Sequence, residues 1–404
     1  MQIIRKSSNL EYVHSDIRGA LYVEALKMEK EGQKVLKLNT GNPAAFGFEM
    51  PQSIRKAIKE NLDSALGYCD VKGMLSAREA IAEYHLSRGI KNVCADDVYI
   101  CNGVSETVSM ALTALLSPND EILVPSPCYS LWSNSAYVVG AKPILYMCDE
   151  KADWNPDLKD IESKITQKTK AIVIINPNNP TGVVYSKEIL QGILDIARKH
   201  NLVVFSDEIY DRLILDNVEY CSTASLCDDV TVITMNGLSK SHCLCGFRCG
   251  WMIISGPKEA SKEIREGLTT LASVRLCSNA LMQLVIPTAL KDEAYTKEMI
   301  SPNGRLLLQR KAVMDGLNKI DGISYIKNNA AFYLLPKIDF SKFNLADDRD
   351  FAAGLLREKN ILIVPSSGFL YDKKDHFRIV MLPKAEILKK AMEDIGDFLD
   401  SRRI

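Results

Sequence analysis

The middle of the chain alternates short apolar runs with longer segments of helical period, and this alternation limits the folds that are open to it. Seven candidate strands lie at 98–101, 122–124, 143–147, 171–175, 202–205, 230–235 and 250–254, and helical segments such as 106–116, 187–200 and 258–271 separate several of them. Nearly continuous Val, Ile and Leu runs are typical of strands buried on both faces. The pattern predicts an α/β fold with a mostly parallel, doubly wound sheet of seven strands.

The pattern changes towards the C-terminus, which indicates a second domain. At 404 residues the chain is long enough for one large and one smaller domain. We place the large domain at residues 50–295 and assign residues 1–49 and 296–404 to a small α+β domain. The predicted elements of the C-terminal part are helices at 304–319 and 384–399 and strands at 331–335, 361–364 and 377–382.

Composition and charge argue against several classes of protein. With 50 basic and 51 acidic residues the net charge is −1, so nothing draws the chain electrostatically to nucleic acid or to an anionic membrane. No apolar run approaches the roughly 18 residues that span a bilayer. The N-terminus lacks a secretory hydrophobic region, and we expect a cytoplasmic protein. The eleven cysteines lack the paired spacing of zinc sites, which predicts free thiols and no bound metal.

Polar segments follow five of the predicted strands at the point where each strand ends. They are 102–105, 125–129, 176–182, 207–210 and 236–240. In open parallel sheets, ligands bind beyond the carboxyl ends of the strands. Because parallel strands share that edge, we expect these five segments to form one site.

Lys240 is the most informative residue of this expected site. It follows an apolar strand, where burial would lower the pKa of its ammonium group and allow the amine to act as a nucleophile or base. Such an amine can form a Schiff base with an aldehyde. Arg248 follows eight residues later and is a fixed positive charge suited to a phosphate. The cofactor that combines an aldehyde, a phosphate and a pyridine ring is pyridoxal 5'-phosphate (PLP).

Other residues at the strand ends suit the remaining groups of PLP. Asp207 ends an apolar strand, where a carboxylate needs a cation such as a protonated pyridine nitrogen, although by itself it could be a helix cap. Tyr210 and Asn179 could both donate a hydrogen bond to the phenolic oxygen of the ring. Gly103 and Ser105 begin a predicted helix, and a helix N-terminus binds phosphate well.

Four segments give the chain a specific resemblance. They are NPNNPTG at 176–182, SDEIYDRL at 206–213, NGLSK at 236–240 and GFRCGW at 246–251. In their order and spacing the chain resembles the class I/II PLP-dependent aminotransferases of fold type I, and within them it is most similar to the bacterial-type glutamate–pyruvate (alanine) aminotransferases. Segments at 17–19, 36–48, 67–73, 274–279 and 375–383 fit the same group, so the likeness spans almost the whole chain.

The resemblance implies an enzyme that uses PLP to transfer an amino group between an amino acid and a 2-oxo acid, most closely between L-alanine and 2-oxoglutarate. It also implies a role for each matching residue. The cofactor roles are covalent attachment at Lys240, pairing of the pyridine nitrogen with Asp207, hydrogen bonds from Asn179 and Tyr210 to the phenolic oxygen, ring stacking by Tyr129, and a phosphate site of Gly103, Val104, Ser105, Ser239 and Arg248. Tyr68 would reach the phosphate of a neighbouring subunit, which implies a homodimer with shared active sites.

The resemblance further implies how the substrates bind. Arg378 would bind the α-carboxylate bidentately with Asn179 beside it, and Gly41 would line the pocket with its backbone. The side-chain carboxylate of glutamate needs a cation, whereas the methyl group of alanine does not. A mobile arginine would satisfy both substrates, and Arg18 is the first candidate for it and Arg275 the second.

The chain departs from the family pattern in two respects. Family members often carry a hydroxyl residue three positions before the lysine, where this chain has Gly237, which puts one phosphate contact in doubt. Cysteines at 243, 245 and 249, and others at 69, 101 and 128, lie beside the cofactor segments. We interpret them as small buried residues, with inactivation by thiol oxidation as the competing hypothesis.

Two other activities stay open on sequence grounds. Aspartate or aromatic aminotransferase activity needs only changes in the pocket. A carbon–sulfur lyase of the same fold would use the same lysine to eliminate thiol from cystathionine. A regulator built on an aminotransferase-like domain would need an N-terminal DNA-binding module, for which the roughly 35 residues before the first family segment leave no room.

Overall fold

The structure is a computed structural model that describes residues 3–404. Met1 and Gln2, which fall in the predicted small domain, lie outside the described residues. The N-terminal part contains the helices α1 (Ala20–Lys30), α2 (Gln52–Asn61) and α3 (Leu75–Ser87) and the short strand β1 (Leu36–Lys37).

An eight-stranded sheet follows, with strands β2 (Val98–Cys101), β3 (Glu121–Ser126), β4 (Lys142–Asp149), β5 (Asn155–Pro156), β6 (Thr169–Ile175), β7 (Val203–Asp207), β8 (Val232–Gly237) and β9 (Gly250–Ser255). Their spatial order is β2-β9-β8-β7-β6-β3-β4-β5. The five strands from β8 to β4 run parallel, whereas β9 is antiparallel to both its neighbours and β5 is antiparallel to β4. The seven predicted strands are present. The eighth, β5, was not predicted because an Asn–Pro pair at a sheet edge carries no apolar pattern.

Helices flank this sheet. They are α4 (Val104–Leu115), α5 (Leu131–Val138), α6 (Leu158–Ser163), α7 (Lys187–His200) and α8 (Lys262–Arg275), followed by the short α9 (Ala280–Gln283), α10 (Ile286–Lys291) and α11 (Ala294–Met299). In α7, the Ser186 side chain accepts from the Ile189 amide, and Asn201 ends the helix in the left-handed conformation. Buried residues at 190, 193, 194 and 197 give the helix one apolar face.

Alternate residues of each central strand belong to two apolar clusters, one on each face of the sheet. In β6, Ile172 and Ile174 pack into one cluster, and Ala171, Val173 and Ile175 pack into the other. All five side chains are at most 2% exposed. This is the burial on both faces that the continuous apolar runs predicted, and the doubly wound α/β fold is confirmed.

The C-terminal part is a smaller α+β unit of α12 (Arg305–Leu317), β10 (Ile323–Ser324), β11 (Tyr333–Leu334), β12 (Lys337–Ile338), α13 (Asp348–Lys359), β13 (Ile361–Leu362), β14 (Val364–Pro365), β15 (Phe377–Val380) and α14 (Ala385–Asp400). β15 lies between β11 and β14 in an antiparallel sheet. β1 pairs in parallel with β13, and α1 packs on α13. These contacts support the proposal that residues 1–49 and 296–404 form one small domain beside a large domain at 50–295.

No helix within residues 3–404 has both the length and the apolar character needed to cross a membrane.

Candidate active site

The carboxyl ends of the parallel strands border a cavity of about 820 Å³. Twelve of the fifteen predicted site residues line it, namely Arg18, Gly41, Val104, Ser105, Tyr129, Asn179, Asp207, Tyr210, Ser239, Lys240, Arg248 and Arg378. The other three do not line it: Gly103 packs against the guanidinium of Arg248, and Tyr68 and Arg275 lie elsewhere. The polar segments that end five separate strands are therefore brought together, as the topology of the sheet predicted.

Lys240 projects its amine towards the N-terminal segment. Its Nζ donates to the carbonyl oxygen of Gly41 at 2.9 Å and lies 3.9 Å from Cys245 Sγ. Burial acts to lower the pKa of the ammonium group, but the Coulombic influence of Tyr333, Cys245 and Tyr129 outweighs it, and the pKa lies above its ordinary value. Burial thus acts in the predicted direction, but the predicted net lowering of the pKa is wrong. The amine must lose its proton before it can attack an aldehyde.

Asp207 ends β7 with a carboxylate that the protein satisfies poorly. The side chain is 6% exposed and accepts two long hydrogen bonds, from the Ile209 amide at 3.3 Å and from Trp132 Nε1 at 3.4 Å. Burial raises its pKa to about 6. No helix starts here, so Asp207 is not a helix cap. A carboxylate in such a place is stabilised by a cation, and within residues 3–404 it forms no ion pair.

The N-terminus of α4 presents unpaired donors beside a positive charge. Gly103 precedes the helix with φ of 86°, and a side chain at this position would overlap the guanidinium of Arg248. The amides of Val104 and Ser105 donate to no acceptor in the part of the chain that the structure describes. Together with Arg248 and the Ser239 hydroxyl, they place several donors and a positive charge at a helix N-terminus, which suits a phosphate.

Arg378 lies in β15 and is 1% exposed. Its Nη1 donates to Asn179 Oδ1 at 3.0 Å and its Nη2 donates to the carbonyl oxygen of Asn39, while Nε is buried and has no partner within residues 3–404. The rings of Tyr333 and Phe369 lie 4.8 Å and 4.7 Å from its guanidinium carbon. A buried guanidinium that pairs with no carboxylate of the described residues and retains an unused donor suits a carboxylate ligand.

Comparison with known proteins identifies this arrangement. Residues 33–395 match the family model described as "Aminotransferase class I and II". The chain belongs to the class I and II aminotransferases.

Three relatives cover nearly the whole chain. It is 50% identical over 403 residues to the glutamate-pyruvate aminotransferase AlaA of Haemophilus influenzae, with 100% of both chains covered. It is 44% identical to an alanine aminotransferase of Mycobacterium tuberculosis, over 98% of this chain and 93% of the relative. A crystal structure of an aminotransferase from Escherichia coli matches with a TM-score of 0.97 at 47% identity, over 100% of both chains. The predicted family is confirmed.

Three predicted residues at the edge of the site, Arg18, Arg275 and Tyr68, have different surroundings. Arg18 is exposed, lines the cavity and forms no hydrogen bond or ion pair through its side chain within residues 3–404. Arg275 does not line the cavity, because its guanidinium binds Glu106 at 2.8 Å and two backbone carbonyls. As a mobile substrate-binding residue, Arg275 is therefore a wrong candidate. Tyr68 is 83% exposed, and its contact with a second subunit stays a prediction.

Two residues of the site were missed. Tyr333 lines the cavity, and its hydroxyl oxygen lies 2.9 Å from that of Tyr210. Trp132 is the indole donor to Asp207. A signal for Trp132 was present, because it follows Tyr129 by three residues at the start of α5. Tyr333 is brought to the site by the pairing of β11 with β15, which one sequence does not reveal.

The six cysteines beside the cofactor segments differ in burial, and Cys69, which is half-buried and does not line the cavity, departs from the predicted burial. Cys101, Cys128, Cys243 and Cys249 are buried, and burial raises the pKa of each thiol. Cys245 is half-buried and lines the cavity. Within residues 3–404, no cluster of three or more His, Cys, Asp or Glu side chains is arranged to hold a metal ion.

Proposed function

We propose that this aminotransferase uses PLP to transfer an amino group between L-alanine and 2-oxoglutarate, giving pyruvate and L-glutamate. The observation that carries the proposal is the single cavity in which Lys240, Asp207 and Arg378 converge. The names of the full-length relatives, which specify glutamate–pyruvate or alanine aminotransferase, support this choice of substrates. A cytoplasmic location remains a prediction from the sequence.

The residues of the cavity fit PLP group by group. The carboxylate of Asp207 would pair with a protonated pyridine nitrogen, which is the cation it lacks. The unpaired amides at the start of α4 and the guanidinium of Arg248 would hold the phosphate. Asn179 accepts from Arg378 through Oδ1, so its amide nitrogen is left to donate to the phenolic oxygen. When bound, PLP supplies a ring that accepts electrons as the Cα–H bond of the substrate breaks.

Two side chains would act directly on the substrate. Arg378 would bind the α-carboxylate through its unused donors, which fixes the substrate Cα in the cavity that also holds the Lys240 amine. Lys240 would carry the cofactor and, once displaced by the substrate, move the proton at the substrate Cα as general base and then as acid.

Arg18 suits a site that must accept two kinds of side chain. Its side chain has no competing partner in the described residues, so turning towards the distal carboxylate of glutamate would break no ion pair. Because Arg18 is exposed, turning away for the methyl group of alanine would leave no buried charge. Arg18→Ala should therefore raise the KM for glutamate and leave the KM for alanine nearly unchanged. An unchanged glutamate KM would remove this role.

The first experiment measures the half-reaction. Holoenzyme would be titrated separately with alanine, glutamate, aspartate, phenylalanine and valine while the absorbance of the bound cofactor is followed. We expect alanine and glutamate to convert the cofactor at the lowest concentrations. A preference for aspartate or phenylalanine would replace the proposed substrates, and release of pyruvate from cystathionine without any 2-oxo acid would favour a carbon–sulfur lyase.

The second experiment locates the covalent attachment. Borohydride reduction of the holoenzyme, followed by peptide mass spectrometry, should place a pyridoxyl adduct on Lys240. Lys240→Ala should lack the adduct and lose turnover. Lys164→Ala is a matched control, since Lys164 is half-buried but pairs with Asp160 away from the cavity, and it should keep both. An active Lys240→Ala enzyme would defeat the assignment.

We further propose a homodimer in which Tyr68 completes the phosphate site of the partner. Exposed apolar side chains precede this tyrosine at Leu62 and Leu66 and recur around the C-terminal end of α8 at Val274 and Leu276. A hydrogen bond from Arg275 to the carbonyl oxygen of Val71 joins the two segments. Clustered exposed apolar side chains mark protein interfaces.

Mixing two defective variants tests the shared site. Lys240→Ala and Tyr68→Ala subunits, unfolded and refolded together, should form mixed dimers in which one site has both defects and the other has neither. Activity at limiting PLP should therefore exceed that of either variant alone. If each site is built from one subunit only, mixing restores nothing.

A further inference from the structure

Tyr333 occupies a position between the groups assigned to the cofactor and those assigned to the substrate. It lies in β11, beside the strand that carries Arg378, and is 2% exposed. Its hydroxyl oxygen is 2.9 Å from the hydroxyl of Tyr210, and its ring lies 4.8 Å from the guanidinium carbon of Arg378. One side chain thus contacts both halves of the site.

The hydroxyl group of Tyr333 is held in one place. It packs so closely on Gly41 that a Cβ on that glycine would overlap the hydroxyl group. The carbonyl oxygen of the same glycine accepts the hydrogen bond from Lys240. Each tyrosine hydroxyl has one hydrogen to donate. If Tyr210 donates its hydrogen to the phenolic oxygen of PLP, Tyr333 must donate to the oxygen of Tyr210. The hydroxyl of Tyr333 therefore sets the direction of the hydrogen bond that Tyr210 makes.

The ring of Tyr333 constrains the guanidinium of Arg378. The T-shaped packing of Tyr333 on Tyr210, with an interplanar angle of 86°, fixes the plane of the ring. Contact with the π-face attracts the guanidinium and limits its rotation. Because Nε of Arg378 has no partner among the described residues, this contact helps to keep that donor directed at a ligand.

We propose that Tyr333 is a positioning residue with two separable roles: its hydroxyl orients Tyr210 towards the cofactor, and its ring orients Arg378 towards the substrate α-carboxylate. The inference rests on the proposed function. It predicts that removing the hydroxyl and removing the ring change different measurements.

Tyr333→Phe removes the hydroxyl and keeps the ring. In the holoenzyme, the pH midpoint of the bound-cofactor absorbance should rise by roughly half a pH unit, because a donor to the anionic phenolic oxygen is weakened rather than lost. The KM values of the amino acid and of the 2-oxo acid should stay within about twofold of wild type, since the ring contact with Arg378 is kept.

Tyr333→Leu and Tyr333→Met remove the ring as well. Both should show the same change of midpoint and, in addition, raise the KM for alanine, glutamate, pyruvate and 2-oxoglutarate together by roughly 2- to 30-fold, the range expected for a lost cation–π contact. Two aliphatic variants are used because one of them can fail to fold. Tyr325→Phe is the control, since its hydroxyl binds Asn318 outside the cavity.

The outcomes are distinct. An unchanged midpoint in Tyr333→Phe overturns the hydroxyl role, and a KM increase in Tyr333→Phe as large as in the aliphatic variants overturns the separation of roles. Unchanged KM values in the aliphatic variants overturn the ring role. If neither aliphatic variant folds, Tyr333→Phe still tests the hydroxyl role through its midpoint, and a KM increase in it beyond about twofold overturns the separation of roles. Failure of the proposed function would show differently, as wild-type enzyme without a pyridoxyl adduct or without transamination.

Discussion

The apoenzyme should become more stable when Asp207 is replaced by Asn. Burial raises the pKa of this carboxyl group from 3.8 to about 6, so the folded chain binds a proton that the unfolded chain has already released. The folded-state pKa is the higher one, so full stability is present below pH 3.8 and is lost as the pH rises through 6. At 1.36 kcal/mol for each pH unit, the loss is about 1.5 kcal/mol at pH 5 and about 3 kcal/mol at pH 8.

Asparagine cannot ionise, and apo Asp207→Asn should escape this loss. Urea unfolding of both apoproteins, followed by tryptophan fluorescence, gives their difference in free energy of unfolding. That difference should grow by about 1.5 kcal/mol in favour of the variant between pH 5 and pH 8. Glu208, whose pKa burial raises to about 7, contributes equally to both proteins and cancels.

Bound PLP should reverse the order of stability of wild type and Asp207→Asn. Only the carboxylate can pair with the pyridine nitrogen, so the cofactor should stabilise wild type more than the variant. Glu208→Gln is a useful comparison, since it should also remove a pH-dependent loss but should leave the effect of PLP in place. If the two apoproteins keep the same difference in stability at pH 5 and pH 8, the account of Asp207 as a buried carboxylate awaiting a cation is refuted.

Three further predictions concern Arg378 and Cys245, which line the cavity, and Gly237 in β8. Arg378→Lys should raise the KM of every amino acid and 2-oxo acid together by roughly 10- to 100-fold, because lysine keeps the charge and loses the bidentate geometry. Steady-state kinetics that show an increased KM for one substrate only would contradict this prediction. Gly237→Ser should lower the free energy of unfolding by about 1–3 kcal/mol, since its Cβ would lie 2.5 Å from the carbonyl oxygen of Cys249. It should not tighten PLP binding, and a gain in PLP affinity would show that the serine hydroxyl reaches the phosphate. Peroxide should inactivate the enzyme through Cys245, with recovery in dithiothreitol; Cys245→Ala should be resistant and Cys249→Ala, at a fully buried thiol, should stay sensitive.

The elements that the sequence predicted well are those whose local signals agree with their packing. Helix α7 has its predicted bounds because a serine cap, a regular apolar face and an αL asparagine coincide. Helix α8 was placed four residues too early, at 258 instead of Lys262. The Ser261 hydroxyl binds the carbonyl oxygens of Pro257 and Lys258, and such local bonds compete with the helix.

The site was predictable as far as it depends on strand ends. The parallel order of β8, β7 and β6 brings Lys240, Asp207 and Asn179 to one edge, and that follows from topology alone. The protonation state of Lys240 does not follow from the topology. Its pKa depends on Cys245, five residues away, and on Tyr333 and Tyr129, which come from distant segments, so burial of the lysine by itself gives the wrong direction.

The basic side chains that line the cavity outnumber its carboxylates. Arg18, Lys240, Arg248 and Arg378 line it, and the only carboxylate among the described lining residues is Asp207, which burial keeps partly protonated. A phosphate, an α-carboxylate and a distal carboxylate would each neutralise one arginine, and a covalent bond to an aldehyde would remove the ammonium charge of the lysine. When alanine is the substrate, the distal carboxylate is absent. The arginine that then lacks a partner is Arg18, which is exposed, so water can solvate its charge. Arg378 is buried and would bind the α-carboxylate that both substrates share.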